Sequence, residues 1–411
     1  MFRKHLDSPE LVSLRYVANR YISFPEDKKA EASMCRILVI PATDWLGGPE
    51  SRLHRIFERP SQSVEDVEVV FFPKRGKRVR STALRLYQPL CLRIGGSTAL
   101  FYLVNLVPIW LQLARRIAKT RPNVIVITDP IFGLSAVLMK RLLPIRVVFD
   151  YVDDLSGLAK GYVTRLLEGA VMKVVEEIVR YSVVNADATI VSSVDLQRRV
   201  CALLGRCPPL IPNGVEASIF TRSDSVNHRQ KIVGYVGGVY GWSGIEQFLA
   251  THRAVSASAP GVEYHIYGSG SCEELVRSIS EREEGVYFHG EIPYKEVPCV
   301  MSTFDVGIIP FVKSPLTDAA CPLKLFEYWA AGVPVVSRNL REVKRLGDGA
   351  ALFFDTVDEM ASDIVLLLLS EETRKKVTSE GSARVVQYDW RVLRTKYREI
   401  LCGSRMQDVR E

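Results

Sequence analysis

Residues 321–336, CPLKLFEYWAAGVPVV, predict a helix directly before a strand. Pro322 suits the first position of the helix, where its missing N–H costs nothing. Gly332 followed by Pro334 predicts the end of that helix. The valine-rich residues 333–336 then predict a buried parallel strand. A helix that leads into such a strand indicates an α/β domain.

The same helix carries a cation and a carboxylate on one face. Lys324 and Glu327 are three residues apart, and residues at that spacing are neighbours on a helix. Free N–H groups and a positive partial charge at the helix N-terminus suit a phosphate. Glu327, one turn deeper, is placed to accept hydrogen bonds from sugar hydroxyls. The pair is a candidate site for a phosphorylated sugar or nucleotide, and the alternative is an ordinary surface Lys–Glu pair.

Charge is unevenly distributed along the 411 residues. Residues 1–215 contain 31 Lys and Arg against 20 Asp and Glu, a net of +11, and residues 216–411 contain 23 against 27, a net of −4. This asymmetry predicts that the first half meets an anionic partner, either a membrane surface or a polyanionic substrate. Nucleic acid is not expected, because no zinc-ligand spacing or RNP-type strand accompanies the charge.

The cysteines give an expectation about location. The chain has 8 of them, scattered and without a C-x-x-C. This pattern favours reduced thiols packed as small core residues over a disulfide framework or a zinc site. The first residues, MFRKHLDSPELVSL, contain no apolar run typical of a secretory signal. A cytoplasmic location is therefore expected, with contact to the inner face of the cell membrane as an option.

Strands and helices alternate through both halves of the chain. Buried strands are predicted at 36–41, 67–72, 124–128, 146–149, 188–191, 231–235, 262–267, 286–288, 306–310 and 333–336. The turn at Pro212, Asn213 and Gly214 separates the halves. The predicted organisation is a peripheral extension at 1–33, a doubly wound domain at 34–215, a second doubly wound domain at 216–390, and a C-terminal helix at 391–411 that packs back toward the first domain.

Carboxylates follow two strands of the first half at their carboxyl ends. Asp129 and Asp150 hold these positions, and ligands of open α/β sheets bind outside such ends. Asp150 also begins a cluster with Asp153 and Asp154, and crowding of like charges raises a carboxyl pKa. Asp150 and Asp153 are therefore candidates for a general base that takes a proton from a sugar hydroxyl. The alternative is a helix N-cap.

Glycine-rich loops follow the strands as well. Gly47 and Gly48 come after the first strand, where they either let the backbone approach a ligand or merely form a turn. In the second half Gly237, Gly238 and Gly268 occupy equivalent places, and their loops converge on one predicted nucleotide cleft. Neither G-x-G-x-x-G at a strand end nor a P-loop occurs, which argues against dinucleotide and nucleoside-triphosphate sites.

Residues 74–116 predict either a surface that binds a membrane or a helix buried in the protein core. Residues 73–80, PKRGKRVR, hold five basic residues out of eight, and residues 98–114, TALFYLVNLVPIWLQLA, are apolar and aromatic. A basic loop beside an aromatic amphipathic segment is typical of an interfacial membrane contact. The segment is too short and interrupted for a transmembrane helix. The alternative is a helix buried against the sheet.

Together these motifs resemble those of GT-B-fold glycosyltransferases, and the chain is most similar to glycosyltransferase family 4 and its relatives that build cell-surface polysaccharide. The resemblance covers about residues 211–391. It rests on PNGVEASIF at 212–220, GYVGG at 234–238, YGSG at 267–270, FDVGIIPF at 304–311 and, above all, PLKLFEYWAAGVPVVS at 322–337. It implies two Rossmann-like domains that face a central cleft.

The resemblance also implies an activity, the transfer of a sugar from a UDP- or GDP-sugar to a hydroxyl of a lipid-linked or polysaccharide acceptor. Glu327 would bind the ribose hydroxyls, and Lys324 would hold the diphosphate and assist catalysis. The loop at 289–294 would border the base. The implied donor-binding residues are Gly237, Gly238, Gly268, His289, Ile292, Lys324, Leu325 and Glu327, and those of the acceptor cleft are Gly47, Gly48 and Asp129.

Two departures from the family pattern affect the expected chemistry. Ala319 stands eight positions before Glu327, where the family has a glutamate, and Asp318 is its neighbour. The loop GYVGGVYGWSG lacks the usual Arg and Lys, so Lys324 would carry most of the cationic role. Retention or inversion of the anomeric configuration stays open, and without a D-x-D motif no obligatory metal or other cofactor is expected. The alternatives are a nucleotide-sugar epimerase on the same fold and a catalytically silent nucleotide-sugar-binding protein.

Overall fold

The computed structural model describes residues 35–47, 51–58, 65–72, 81–92, 98–153, 165–220 and 230–403. The predicted extension at 1–33, Gly48, Asp154 and the basic run at 73–80 lie outside the described residues.

A six-stranded parallel sheet forms the centre of the first half. Its strands are β1 Cys35–Ile40, β2 Glu65–Val70, β3 Arg85–Tyr87, β4 Val124–Ile127, β5 Arg146–Tyr151 and β6 Ala188–Val191. Their order across the sheet is β3-β2-β1-β4-β5-β6. The strand order reverses between β1 and β4, and such a switch point opens a crevice at the carboxyl ends of the strands.

A second six-stranded parallel sheet repeats this topology. Its strands are β7 Ile232–Val236, β8 Glu263–Tyr267, β9 Val286–Gly290, β10 Val306–Ile309, β11 Val335–Arg338 and β12 Leu352–Phe354, in the order β12-β11-β10-β7-β8-β9. Here the switch point lies between β7 and β10. The prediction of an α/β fold with two doubly wound parallel sheets is confirmed.

Helices cover the sheets. Those of the first half are α1 Arg52–Phe57, α2 Thr98–Thr120, α3 Pro130–Met139, α4 Arg165–Asn185 and α5 Val194–Leu204. Those of the second half are α6 Ile245–Ala250, α7 His252–Ser258, α8 Glu273–Ser280, α9 Val297–Met301, α10 Pro315–Asp318, α11 Leu323–Ala330, α12 Arg341–Gly347, α13 Val357–Leu369, α14 Glu371–Val385 and α15 Trp390–Cys402. None of these helices is long and apolar enough to cross a membrane.

Sequence reasoning missed β3 and β12. Each has three residues and lies at the outer edge of its sheet. Such short strands show too few alternations of apolar and polar residues for a period to be recognised. The strands that carry the predicted site residues were all found.

The C-terminal helix α15 lies on the first domain. Trp390, Leu393, Tyr397 and Leu401 are buried in one cluster with residues of β1, β2 and α1. The chain therefore crosses from the second domain back onto the first, and the helix couples the two halves through a shared apolar core.

One pair of cysteines differs from the expectation of free thiols. Cys201 and Cys207 form a disulfide that closes the end of α5, with Cα atoms 4.4 Å apart. A separation of six residues along the chain gave no sign that the turn after α5 brings the two side chains together. Cys321 is a free thiol, buried in the core of the second domain.

Candidate active site

Helix α11 carries the predicted pair of ionised side chains at the switch point of the second sheet. Pro322 is its N-cap residue, and Gly332 has a φ of +66°, in the left-handed region, just after the helix. Lys324 and Glu327 are both buried, Lys324 with 8% of its surface exposed. The local signals of the sequence therefore place the helix, and the fold turns the pair inward.

The ammonium of Lys324 is surrounded by aromatic rings. Its Nζ lies 3.8 Å from the centroid of the Tyr235 ring and 5.1 Å from that of the Phe311 ring. Glu327 is the carboxylate whose charge acts on this nitrogen. Burial lowers the pKa of Lys324 to about 7, an effect that Glu327 opposes in part. A cation in such a position is poised to gain an anionic partner.

Gly237 makes room for this lysine. A Cβ at Gly237 would lie 2.6 Å from Lys324 Nζ, and the glycine has a φ of +146°. The backbone of the next loop is equally close, since a Cβ at Gly268 would lie 1.8 Å from the Gly237 carbonyl oxygen. Gly238 packs against the Tyr240 ring. The loops after β7 and β8 therefore meet directly at Lys324, as the sequence predicted.

Glu327 is held between the two domains. The Tyr294 hydroxyl donates a hydrogen bond to its Oε1 (2.9 Å). The guanidinium of Arg55, from α1 of the first domain, stacks on the Tyr294 ring at 4.1 Å. Burial raises the pKa of Glu327 above its usual value, while Tyr294, Arg55 and Lys324 oppose the shift. Sequence reasoning missed Arg55 and Tyr294, because only the tertiary fold brings them together.

Aromatic and imidazole rings form the far end of the cleft, beside β8 and β9. His289 stacks on Tyr267 with a centroid distance of 4.2 Å and an interplanar angle of 9°. Its Nε2 lies 3.1 Å from Nδ1 of His265. Burial, and then the neighbouring His265, lower the pKa of His289. Ile292 follows on the same loop, half-buried against the core.

The side chain of Leu325 packs into the protein core and does not face a ligand site. Its side chain is fully buried in the core of the second domain. Its backbone amide donates to the Pro322 carbonyl (3.3 Å). Only the backbone of Leu325 is near the site, so its predicted role in donor binding would rest on the peptide group.

Asp150 lies in the interior. Its Oδ2 forms an ion pair with Arg52 Nε (3.2 Å) and accepts a hydrogen bond from the Tyr397 hydroxyl of α15 (3.1 Å). Its side chain is fully buried, and burial raises its pKa against the opposing effects of Arg52 and Tyr397. In this arrangement Asp150 ties β5 to α1 and α15, and its role as a base stays a prediction.

The other candidates of the first domain lie at the carboxyl edge of its sheet. Asp129 is the N-cap of α3, where Oδ1 accepts from the amides of Ile131 and Phe132 (both 3.0 Å) and Oδ2 from the Tyr102 hydroxyl (2.6 Å). Gly47 donates its amide to Asp44 Oδ1 (3.0 Å). Asp153, just beyond β5, is exposed. Asp153 is thus the candidate base with access to solvent.

Polar contacts join the domains on the other side of α11. The backbone N–H of Val194 donates to Glu342 Oε2 (3.2 Å), and Arg341 pairs with Asp195 (2.9 Å). Asn213, in the predicted turn between the domains, donates to the Cys321 carbonyl (2.7 Å). The N-terminal end of α11 is therefore attached to the first domain. Within the described residues, no three His, Cys, Asp or Glu side chains cluster as metal ligands.

Comparisons with known proteins cover both halves of the chain. A family model described as glycosyl transferases group 1 matches residues 230–370, and one described as glycosyl transferase 4-like domain matches residues 47–214. TuaH of Bacillus subtilis, a protein assigned to teichuronic acid biosynthesis as a glycosyltransferase, is 29% identical over 336 residues, which are 75% of this chain and 82% of TuaH.

Solved structures share the fold. Sucrose-phosphate synthase from Thermosynechococcus elongatus superposes with a TM-score of 0.73 and 17% identity, covering 90% of this chain and 100% of that one. HepE from Anabaena, in complex with UDP and glucose, gives a TM-score of 0.67 and 16% identity, covering 89% of this chain and 99% of that one.

Proposed function

The chain belongs to the GT-B glycosyltransferases, as the resemblance in its sequence predicted, and we propose that it transfers a sugar from a nucleotide-diphosphate sugar to a hydroxyl of a lipid-linked or polysaccharide acceptor. The observation that carries this proposal is the buried ammonium of Lys324 beside Gly237 at the switch point of the second sheet. A diphosphate there would supply the negative charge that the surrounding aromatic rings lack.

The donor would lie along the carboxyl edge of the second sheet. Glu327 would accept hydrogen bonds from the ribose, with its carboxylate already oriented by Tyr294. The base would lie toward Ile292 and the stacked rings of Tyr267 and His289. UDP or GDP fits these contacts, and UDP is the nucleotide in the HepE complex.

Lys324 would take the place of a metal ion at the leaving diphosphate. Charge that develops on the departing phosphate oxygens is stabilised by a cation held nearby before the reaction begins. With Lys324 charged, the helix N-terminus and the loop amides would complete the anion site. We therefore propose transfer without an obligatory metal.

The acceptor would approach from the first domain, whose helix α1 reaches Tyr294 of the second domain through Arg55. Asp153 is exposed to solvent, whereas Asp150 is enclosed by Arg52 and Tyr397. We propose Asp153 as the base if the reaction inverts the configuration, with Asp150 as its buried support.

A membrane surface would present a lipid-linked acceptor. Helix α2 buries one face through Phe101, Ile109, Leu113 and Ile117, as the alternative of a core helix required. Its opposite face exposes apolar side chains, with Leu103 at 75%, and the adjoining segment exposes Leu90 at 83%. We name this surface the α2 patch; it consists of Leu90, Leu92, Leu103, Val104, Val107 and Leu111.

The α2 patch fits an anionic bilayer rather than a protein partner. Arg115 and Lys119 are exposed at the end of the same helix, and residues 1–215 carry a net charge of +11 (31 Lys and Arg minus 20 Asp and Glu). Hydrogen bonds of Asn105 and Gln112 to the backbone of Leu92 and Leu90 hold the segment flat against the helix. Apolar side chains next to basic ones insert at the headgroup boundary of anionic membranes.

The proposed activity is tested by a thermal-shift screen of UDP- and GDP-sugars, followed by a transfer assay on membrane extracts with the nucleotide sugar that stabilises the protein. We expect one nucleotide sugar to raise the melting temperature and its sugar to appear in the lipid fraction or polymer. Stabilisation without any transfer would instead indicate the silent binding protein.

A further inference from the structure

Trp242 is an exposed aromatic side chain at the mouth of the donor cleft that the proposed function does not use. It retains 45% of its surface exposed, whereas Trp45, Trp329 and Trp390 are fully or almost fully buried. An exposed indole costs solvation free energy, so a ligand that covers it gains from the apolar contact. Its position decides which ligand that is.

Trp242 lies in the loop that follows β7 and contacts Phe311, the second residue after β10. Its indole is 5.2 Å from the Phe311 ring, edge to face, and it stacks on Tyr240 at 5.8 Å with an interplanar angle of 11°. Phe311 in turn is one of the two rings around Lys324 Nζ. Trp242 is therefore one ring away from the proposed diphosphate position.

The turn that carries Trp242 is rigidly attached to the sheet. Trp242 lies in the short 3₁₀ turn Gly241–Ser243, and its carbonyl accepts a hydrogen bond from the Val312 amide (2.9 Å). Ser243 is fully buried and donates to the Tyr240 carbonyl (2.7 Å). A Cβ at Gly244 would lie 1.9 Å from the Pro310 carbonyl oxygen, so the turn packs directly on the end of β10. A platform held in this way is already ordered before a ligand binds.

The proposed positions of the base, the ribose and the diphosphate along the cleft leave the donor sugar as the group that would contact Trp242. The base side is marked by His289 and Tyr267 beyond Glu327, on the β9 side of the sheet. Trp242 lies on the opposite side of Lys324, toward β10. A nucleotide that runs from His289 through Glu327 to Lys324 has only its sugar left to place beyond the diphosphate.

We propose that Trp242 is the platform on which the sugar ring of the nucleotide donor stacks. This inference rests on the proposed function and adds a determinant of donor specificity to it. The apolar C–H face of a hexose covers an indole well, while the hydroxyl rim stays free for polar groups. The Trp242 end of the loop between β7 and α6, which lacks the cations expected there, would therefore recognise the sugar.

The test compares nucleotide sugars with their nucleotides by calorimetry, using UDP-glucose, UDP-N-acetylglucosamine and GDP-mannose against UDP and GDP. We expect Trp242→Ala to weaken binding of the preferred nucleotide sugar by about tenfold and to leave the matching nucleotide unchanged. Trp242→Phe should lose less, because a flat ring remains. Leu369→Ala, an exposed truncation on α13, is the matched control.

Acrylamide quenching of tryptophan fluorescence gives an independent readout. The nucleotide sugar should protect the wild-type protein from quenching, the nucleotide alone should not, and the protection should vanish in Trp242→Phe. Equal losses for nucleotide and nucleotide sugar would overturn the inference. So would unchanged donor binding with only a raised acceptor KM, since the indole would then face the acceptor. If the wild-type protein binds neither UDP nor GDP, the proposed function fails, and this inference fails with it.

Discussion

Lys324 lies with its ammonium 3.8 Å from the centre of the Tyr235 ring, inside the second domain. Tyr235 belongs to β7 and Lys324 to α11, which follows the neighbouring strand β10, so the contact spans the switch point of the sheet. The ring stabilises a buried cation only in part. The lysine is therefore a desolvated cation that the proposed diphosphate would stabilise, and the following predictions depend on that relation.

Gly237→Ala should weaken nucleotide binding by about tenfold or more. The new Cβ would lie 2.6 Å from Lys324 Nζ and would therefore displace the ammonium. The φ of +146° adds a strain of about 1–3 kcal/mol to the folded state. Gly241→Ala is the matched control in the same loop, since its Cβ would meet nothing within 4 Å. Calorimetry and thermal melts measure both effects. Equal affinities of the two variants would show that the space at Gly237 does not matter.

Nucleotide-sugar binding should take up a proton near neutral pH. The pKa of Lys324 is lowered to about 7 by burial, and a bound diphosphate would raise it toward its ordinary value. Affinity is then full below pH 7 and falls as pH rises, by up to about tenfold per unit between pH 7 and the pKa of the complex. A nucleotide sugar is the right probe, because its diphosphate has no group that titrates in this range.

The pH dependence is measured by calorimetry between about pH 7 and pH 9, in buffers of different ionisation enthalpy. Lys324→Arg should abolish it, because arginine stays charged. His289, whose pKa is lowered, titrates below this range and does not interfere. A flat affinity profile for the wild-type protein would contradict a neutral-range lysine.

Asp153→Asn should lower the rate of transfer, whereas Asp150→Asn should lower the stability of the fold. Loss of the exposed Asp153 carboxylate should lower kcat by about a hundredfold or more, with donor affinity unchanged. Asp150→Asn leaves the Arg52 charge buried without its partner, at a cost of about 3–5 kcal/mol in unfolding free energy. Tyr397→Phe, which removes only the hydrogen bond to Asp150, should cost about 1 kcal/mol.

Kinetics and denaturant unfolding of the three variants separate these roles. Wild-type turnover in Asp153→Asn would remove Asp153 as the base and favour a retaining reaction. If Asp150→Asn loses turnover but keeps its stability, Asp150 is the general base instead of Asp153.

The α2 patch should bind vesicles that contain anionic lipid and release them as salt rises. The triple variant Leu103→Glu, Val107→Glu, Leu111→Glu should abolish this binding, because charges would enter the apolar face. Leu142→Glu, at an exposed leucine outside the patch, is the control. Co-sedimentation with neutral and anionic liposomes measures the effect. Salt-insensitive or absent binding by the wild-type protein would leave α2 as a core helix only.

The placement of Lys324 and Glu327 together on one helix could be predicted from the sequence, and the reason is local. Pro322, Lys324, Glu327 and Gly332 lie within one helix and its caps, so their spacing alone determines that they share a helix end. Gly237 and Gly268 follow strands whose carboxyl ends meet at one edge of a parallel sheet. Placement at that edge therefore follows from the strand pattern.

The domain contacts could not be predicted in this way. Asp150 and Tyr397 are 247 residues apart in the chain, and nothing in either neighbourhood indicates the other. The same holds for Arg55 on Tyr294 and for the two cysteines of the disulfide. Burial of Asp150 arises because α15 returns to the first domain, which is a property of the tertiary fold.

The most direct test of the account is the affinity of Lys324→Ala for the preferred nucleotide sugar, measured by calorimetry at about pH 6.5, where the wild-type lysine is charged. We expect a loss of about ten- to hundredfold with an unchanged melting temperature, and no loss in Lys344→Ala, an exposed lysine of α12. Wild-type affinity in Lys324→Ala would contradict the placement of the donor diphosphate and with it the proposed site.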